Sequence, residues 1–107
     1  MATDNARIDA LRKLLERNPD DPRLHFGLAA EYEKLERWPE VVDHLRQYLA
    51  LTEDEGNAWG RLGNALRQLG RDEEAREAYR RGVQAAHQHG HPSLAAEFEQ
   101  ILEDWEA

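Results

Sequence analysis

Apolar residues recur along this chain at helical spacing almost from end to end. Ile8, Leu11, Leu14 and Leu15 form one stripe, Leu24, Leu28, Tyr32 and Leu35 a second, and Val41, Leu45, Tyr48 and Leu49 a third. Ala58, Trp59, Leu62, Leu66 and Leu69 make a fourth, and Ala75, Ala78, Tyr79, Gly82, Val83 and Ala86 a fifth. Leu94, Phe98, Ile101, Leu102 and Trp105 make a sixth. Residues three and four apart share one face of a helix, and no segment alternates with period two. The pattern therefore predicts an all-α fold of about five to six helices and no strand.

The breaks between stripes carry helix stop and start signals. Asn18-Pro19-Asp20-Asp21-Pro22 ends the first helix and caps the second, with Pro22 where the first helical residue belongs. Trp38-Pro39 opens the third, and Thr52-Glu53-Asp54 can cap the fourth. Gly70 closes the fourth, Asp72 can cap the fifth, and Gly90-His91-Pro92 sets off the last. Connections this short predict antiparallel neighbours.

The stripes also repeat. Adding 34 takes Leu28 to Leu62, Leu35 to Leu69, Glu40 to Glu74, Val41 to Ala75, Leu45 to Tyr79 and Leu49 to Val83. A two-helix unit of that period is the mark of tetratricopeptide repeats. Residues 58–83, AWGRLGNALRQLGRDEEAREAYRRGV, resemble such a repeat at nearly every signature position. Trp59, Leu62, Gly63 and Leu66 match its first helix, Gly70 its turn, and Ala75, Tyr79 and Gly82 its second helix. The preceding unit is looser, with His25 for the aromatic, Ala29 for the glycine, Val41 for the alanine and Tyr48 at a usually small position. The resemblance implies one domain over 1–107, a right-handed stack of antiparallel helix pairs. It divides into a half-repeat helix at 3–18, repeats at 22–55 and 56–89, and a capping helix at 92–106. Terminal helices are needed because a repeat stack must hide the apolar face of its last unit.

Two glycines inside the fourth helix need separate reasons, since each costs about 0.5–1 kcal/mol relative to alanine. Gly63 falls on the buried side beside Trp59 and Leu66, where a missing side chain lets the paired helix approach. Gly60, at 100° per residue, points away from Leu62, Leu66 and Leu69 and is expected on the other, open face.

That other face is where binding is expected. Asn57, Arg61, Asn64 and Gln68 lie at i, i+4, i+7 and i+11, with Gly60 and Arg67 at the edge. In the family the first helix of each unit lines a concave groove. The corresponding side of the preceding unit carries Arg23, Phe26, Gly27, Ala30, Glu33 and Lys34. The resemblance thus implies a groove with an apolar half (Phe26, Ala30) and an amide–guanidinium half (Asn57, Arg61, Asn64, Arg67), beside Arg23. Gly27 and Gly60 would leave its floor shallow. Arg61 can offer a donor fork to a carboxylate, and Asn64 can pair with a peptide amide. Relatives that grip a partner's C-terminal carboxylate use lysine, arginine and asparagine on this face. Arg61 and Asn64 stand at such positions, whereas Gly60 and Phe26 stand where a clamp places polar or basic residues, so the clamp is partial.

Composition narrows the partner. The net charge of −8 opposes phosphate backbones and anionic membranes, so neither nucleic acid nor membrane is expected. Residues 56–81 hold six arginines against four acids, while 82–107 hold five acids and no lysine or arginine. There is no cysteine, no apolar core of signal-peptide length near the start and no run of membrane-spanning length, which reads as a soluble cytoplasmic protein.

Enzymatic motifs are missing: no phosphate loop, nucleophile elbow or metalloprotease helix, and a single serine, Ser93. His87, His89 and His91 invite a metal reading, but histidines also suit a helix C-terminus and a polar loop, so no metal and no cofactor is assigned. Trp59 and Trp105 sit on apolar stripes and are expected in the core, with Trp38 between the helices it joins. The expected function is protein–protein interaction, through an extended partner segment bearing an acidic group or free carboxylate. The alternative is a homodimer or assembly subunit meeting through its terminal helices, around Leu94, Phe98 and Trp105.

Overall fold

The computed structural model describes residues 2–106, with side chains from 6 to 105. Six helices follow one another: α1 (Ala2–Arg17), α2 (Pro22–Lys34), α3 (Trp38–Leu51), α4 (Asn57–Gln68), α5 (Asp72–Gln88) and α6 (Pro92–Glu106). No strand occurs among the described residues, and no helix among them is long and apolar enough to cross a membrane. The chain divides into two compact units, Met1–Thr52 and Glu53–Ala107. In the first, α2 packs on α3 and α1 packs on α2; in the second, α4 packs on α5 and α5 on α6.

Local chemistry sets the helix starts. Asp21 caps α2 by accepting the Arg23 backbone N–H at 3.0 Å, with Pro22 opening the helix where no amide proton is needed. Asp54 holds the start of α4, its Oδ2 accepting the Gly56 and Ala58 amides at 2.8 Å each. Asp72 is not the cap of α5. It is the first helical residue, and the cap position falls on Arg71, which makes no side-chain cap bond. Asp72, Glu73 and Glu74 instead place three acids in the first turn, where the helix dipole favours negative charge.

The 34-residue period extends to the hydrogen bonds of the two hairpin turns. Glu36 N donates to Glu33 O, and Arg37 N to Tyr32 O; in the second unit Gly70 N donates to Arg67 O, and Arg71 N to Leu66 O. The Arg37–Glu40 ion pair at 2.6 Å has its counterpart in Arg71–Glu74 at 2.8 Å. Both turns need a left-handed residue: Gly70 has φ 74° and Glu36 has φ 56°. The first unit thus makes with glutamate the turn that the second makes with glycine.

The first unit's core is built on Leu28, Val41 and Leu45, all fully buried, with Ile8 of α1 nearly so. The second is built largely from alanines (Ala58, Ala65, Ala75, Ala86, Ala95) around Leu66 and Tyr79. Small side chains let the helices come close, and Gly63 works as expected: a Cβ there would lie 2.8 Å from Tyr79 Cε2. Gly60 does not lie on an open face. It is buried, and a Cβ on it would lie within 2.6 Å of Phe98 Cε1. A Cβ on Gly82 of α5 would lie 2.9 Å from the same ring. Two glycines from two helices therefore form a slot for Phe98 of α6, whose ring also tilts against Tyr79 at 5.7 Å.

The tryptophans are half-buried rather than fully enclosed. Trp105 meets Tyr79 edge-on at 6.3 Å, and the guanidiniums of Arg67 and Arg76 lie 4.2 and 4.8 Å from its ring centroid. Its indole is covered by cations as well as by apolar neighbours, which suits a ring at the edge of the core.

Candidate functional site

The α4 stripe forms as its spacing requires, since the whole of it, Asn57 to Gln68, is one unbroken helix. Arg61 and Asn64, three residues apart, are half-buried; Asn57, Arg67 and Gln68 are exposed. A guanidinium and an amide carried by neighbouring positions of one helix face can recognise a carboxylate and an adjoining peptide group together. The ends of the stripe have other neighbours. Asn57 lines a hollow of about 500 Å³ with Glu55, Gly90, His91 and Leu94. Arg67 is drawn over the Trp105 ring.

On α2, Arg23 is exposed and forks onto Asp21, with Nε 3.2 Å from Oδ1 and Nη2 3.1 Å from Oδ2. The guanidinium's hydrogen bonds hold the Asp21 carboxyl below the usual carboxylate range. Phe26 is half-buried, its ring tilted on Tyr48 at 5.0 Å, and Ala30 is half-buried. Gly27 faces Leu11 of α1, where a Cβ would sit in ordinary contact at 3.5 Å, so it seats a neighbouring helix.

Two histidines of the run, His87 and His91, are drawn toward acids. His91 Nε2 lies 2.6 Å from Glu55 Oε1 and holds that carboxyl below its ordinary pKa, while His87 faces Glu99 at 3.9 Å. Among the described residues no three His, Cys, Asp or Glu side chains gather as a metal ion would need. Leu94 and Phe98 turn inward toward Gly56 and toward the Gly60–Gly82 slot, and Trp105 toward Tyr79.

Two polar features of the first unit escaped the sequence pattern. Glu31 is only 4% exposed. Its Oε2 meets Arg7 and Lys34 at 3.3 Å each, while Oε1 has no hydrogen-bond partner. The signal was the period: 34 residues on from Glu31 stands Ala65, a core alanine. The second feature is a histidine pair. His25 is buried, with Nε2 2.9 Å from Pro19 O and Nδ1 3.1 Å from His44 Nδ1. A carbonyl only accepts, so His25 donates through Nε2, and across the facing Nδ1 atoms one ring donates and the other accepts. Tyr32 stacks on His44 with ring planes 8° apart.

Residues 56–89 match the family model of the tetratricopeptide repeat. The chain is 35% identical over 79 residues to small glutamine-rich tetratricopeptide repeat-containing protein 2 of Mycosarcoma maydis, covering 74% of this chain and 22% of that protein. It is 36% identical over 64 residues to the peroxisomal targeting signal receptor of Eremothecium gossypii, covering 60% of this chain and 11% of the receptor. The chain thus spans under a quarter of the length of these curated relatives. Among solved structures it is similar to protein BPP2914 from Bordetella parapertussis, with TM-score 0.75 and 28% identity over 91% of this chain and 84% of that one. A crystal structure of MamA shares the fold, with TM-score 0.68 and 20% identity over 96% of this chain and 68% of that one. With the matched turns, the helix pairs and the repeat signature in agreement, the chain belongs to the tetratricopeptide-repeat proteins, a family of protein–protein interaction modules.

Proposed function

We propose that this protein holds an extended segment of another protein, that it does so without turnover, and that Arg61 and Asn64 of α4 anchor an acidic side chain or free C-terminal carboxylate. The observation that supports this most is that Arg61 and Asn64, both half-buried residues, stand three positions apart on one face of α4. Partial burial lowers the local dielectric and strengthens a charge-assisted bond. Asn57 and Arg67 flank the anchor, with Arg67 already stacked on Trp105. On α2, Arg23, Phe26 and Ala30 form a further proposed contact face whose apolar surface is the Phe26 ring backed by Tyr48. That one relative is by name a receptor for a targeting signal fits a segment-binding role.

The test is fluorescence anisotropy with a library of labelled peptides ending in a free carboxylate, each paired with its amidated form. A charge-assisted hydrogen bond is worth about 1.5–3 kcal/mol, so Arg61→Glu should weaken the best free-carboxylate binder by roughly tenfold to a hundredfold. Equal affinity for acid and amide forms, unchanged in Arg61→Glu, would remove Arg61 from the site. The rival reading, a homodimer through the terminal helices, has less support because Leu94, Phe98 and Trp105 already pack within their own unit. Sedimentation across a concentration range decides it: a tight dimer would restore that reading.

A further inference from the structure

The first unit contains a cleft of about 810 Å³ with α1 on one side, α3 on the other and the end of α2 as its floor. Nothing in the carboxylate-binding proposal uses it. Its chemistry is ordered. On α1, Asp9, Arg12 and Glu16 line the wall at i, i+3 and i+7, an acid–base–acid series. At 1.5 Å per residue the two acids stand about 10 Å apart along the helix axis. The α3 wall adds Glu40 and Asp43. Arg37, at the turn, is bound to Glu40 at 2.6 Å, so its charge is already countered. Four carboxylates against two guanidiniums leave the lining with an excess of negative charge. Between the walls lie Leu15, half-buried, Leu35, 36% exposed, and the stacked Tyr32 and His44 rings, so an apolar strip runs beside an imidazole in a mostly polar cleft.

We propose that this cleft docks a basic amphipathic helix of a partner protein, which presents Lys or Arg at i and i+7, an acid at i+3 or i+4, and an apolar face toward Leu15, Tyr32 and Leu35. The reason is register. A helix lying along α1 has the same rise, so cations two turns apart meet Asp9 and Glu16 together, and an acid between them meets Arg12. Helices seat an apolar stripe in a groove between two others, and the flanking charges choose among partners. The ligand differs in sign and in secondary structure from the carboxylate-bearing segment proposed for α4, so the two readings stand or fall separately.

The experiment is a heteronuclear NMR titration of the full chain with three synthetic peptides. The first is a helix-forming 14-residue probe with Lys at i and i+7, Glu at i+3 and leucines on one face. The second inverts its charges, and the third carries a central proline. The first should saturate and shift amides in residues 8–16 and 32–44, with the other two at least tenfold weaker. In the triple variant Asp9→Lys/Arg12→Glu/Glu16→Lys the preference should reverse, the charge-inverted probe binding at least tenfold tighter than the first. All three positions are exposed, and gain of the inverted probe itself reports a folded cleft. In Arg61→Glu the first probe should bind as in the wild type. Equal binding of the three probes, shifts confined to α4, or no reversal in a triple variant with a native amide spectrum would each overturn the proposal.

Discussion

Replacing Gly60 by alanine sets two known effects against each other. Helix propensity alone favours alanine by about 0.5–1 kcal/mol in a helix interior. The added methyl, however, would stand within 2.6 Å of Phe98 Cε1, closer than carbon atoms approach without displacement. The ring has no easy retreat, because it also rests against Gly82, where a Cβ would lie 2.9 Å away, and against Tyr79. Overpacking of this kind costs about 1–3 kcal/mol. The balance is a net destabilisation of about 1 kcal/mol, read from urea melts followed by far-ultraviolet circular dichroism. The control is Phe98→Leu, which empties part of the slot; on that background Gly60→Ala should be neutral or stabilising by about 0.5 kcal/mol. If Gly60→Ala raised the stability of the otherwise native chain, the slot would not constrain the ring and the explanation of Gly60 would fail.

Glu36 holds a left-handed φ that costs a non-glycine residue about 1–2 kcal/mol, so Glu36→Gly should stabilise by about 0.5–1 kcal/mol after its entropic cost, seen as a higher urea midpoint. Glu31 is a buried carboxylate with one unsatisfied oxygen, whereas its partners Arg7 and Lys34 are mostly exposed. Glu31→Met should therefore change stability little or raise it, while removing both cations together should cost about 3 kcal/mol; the reverse order in thermal melts would refute this. Burial lowers the His44 pKa from its ordinary 6.5, with His25 and Arg12 adding to the decrease and Asp43 and Glu40 opposing it. The folded chain thus binds this proton less readily than the unfolded chain, so the contribution is fully present above pH 6.5 and is lost as pH falls from 6.5 toward the lowered value. Urea midpoints from pH 7.5 to 5 should show a fall that flattens in His44→Gln.

The helices, most of the signals that start and stop them and the 34-residue period were legible because each depends on local rules: apolar spacing, proline at a helix start, glycine at a turn. The equivalence of Glu36 with Gly70 was likewise implicit in the period, although the left-handed φ of a glutamate was not. The face assigned to Gly60 was not legible. Spacing correctly put it opposite Leu62, Leu66 and Leu69, but α4 also receives Phe98 of α6, and a second contact lined with glycine leaves no hydrophobic stripe to read. Arg67 on Trp105, Glu31 with Arg7, and the His25–His44 bond share that character. In each, partners distant along the chain or on another helix meet through packing. The sequence by itself determined which segments become helices and where they turn, because those choices are made by neighbours three or four residues away. Only the tertiary structure decided which polar side chains are sheltered, paired or presented for binding, because that depends on what a third helix covers.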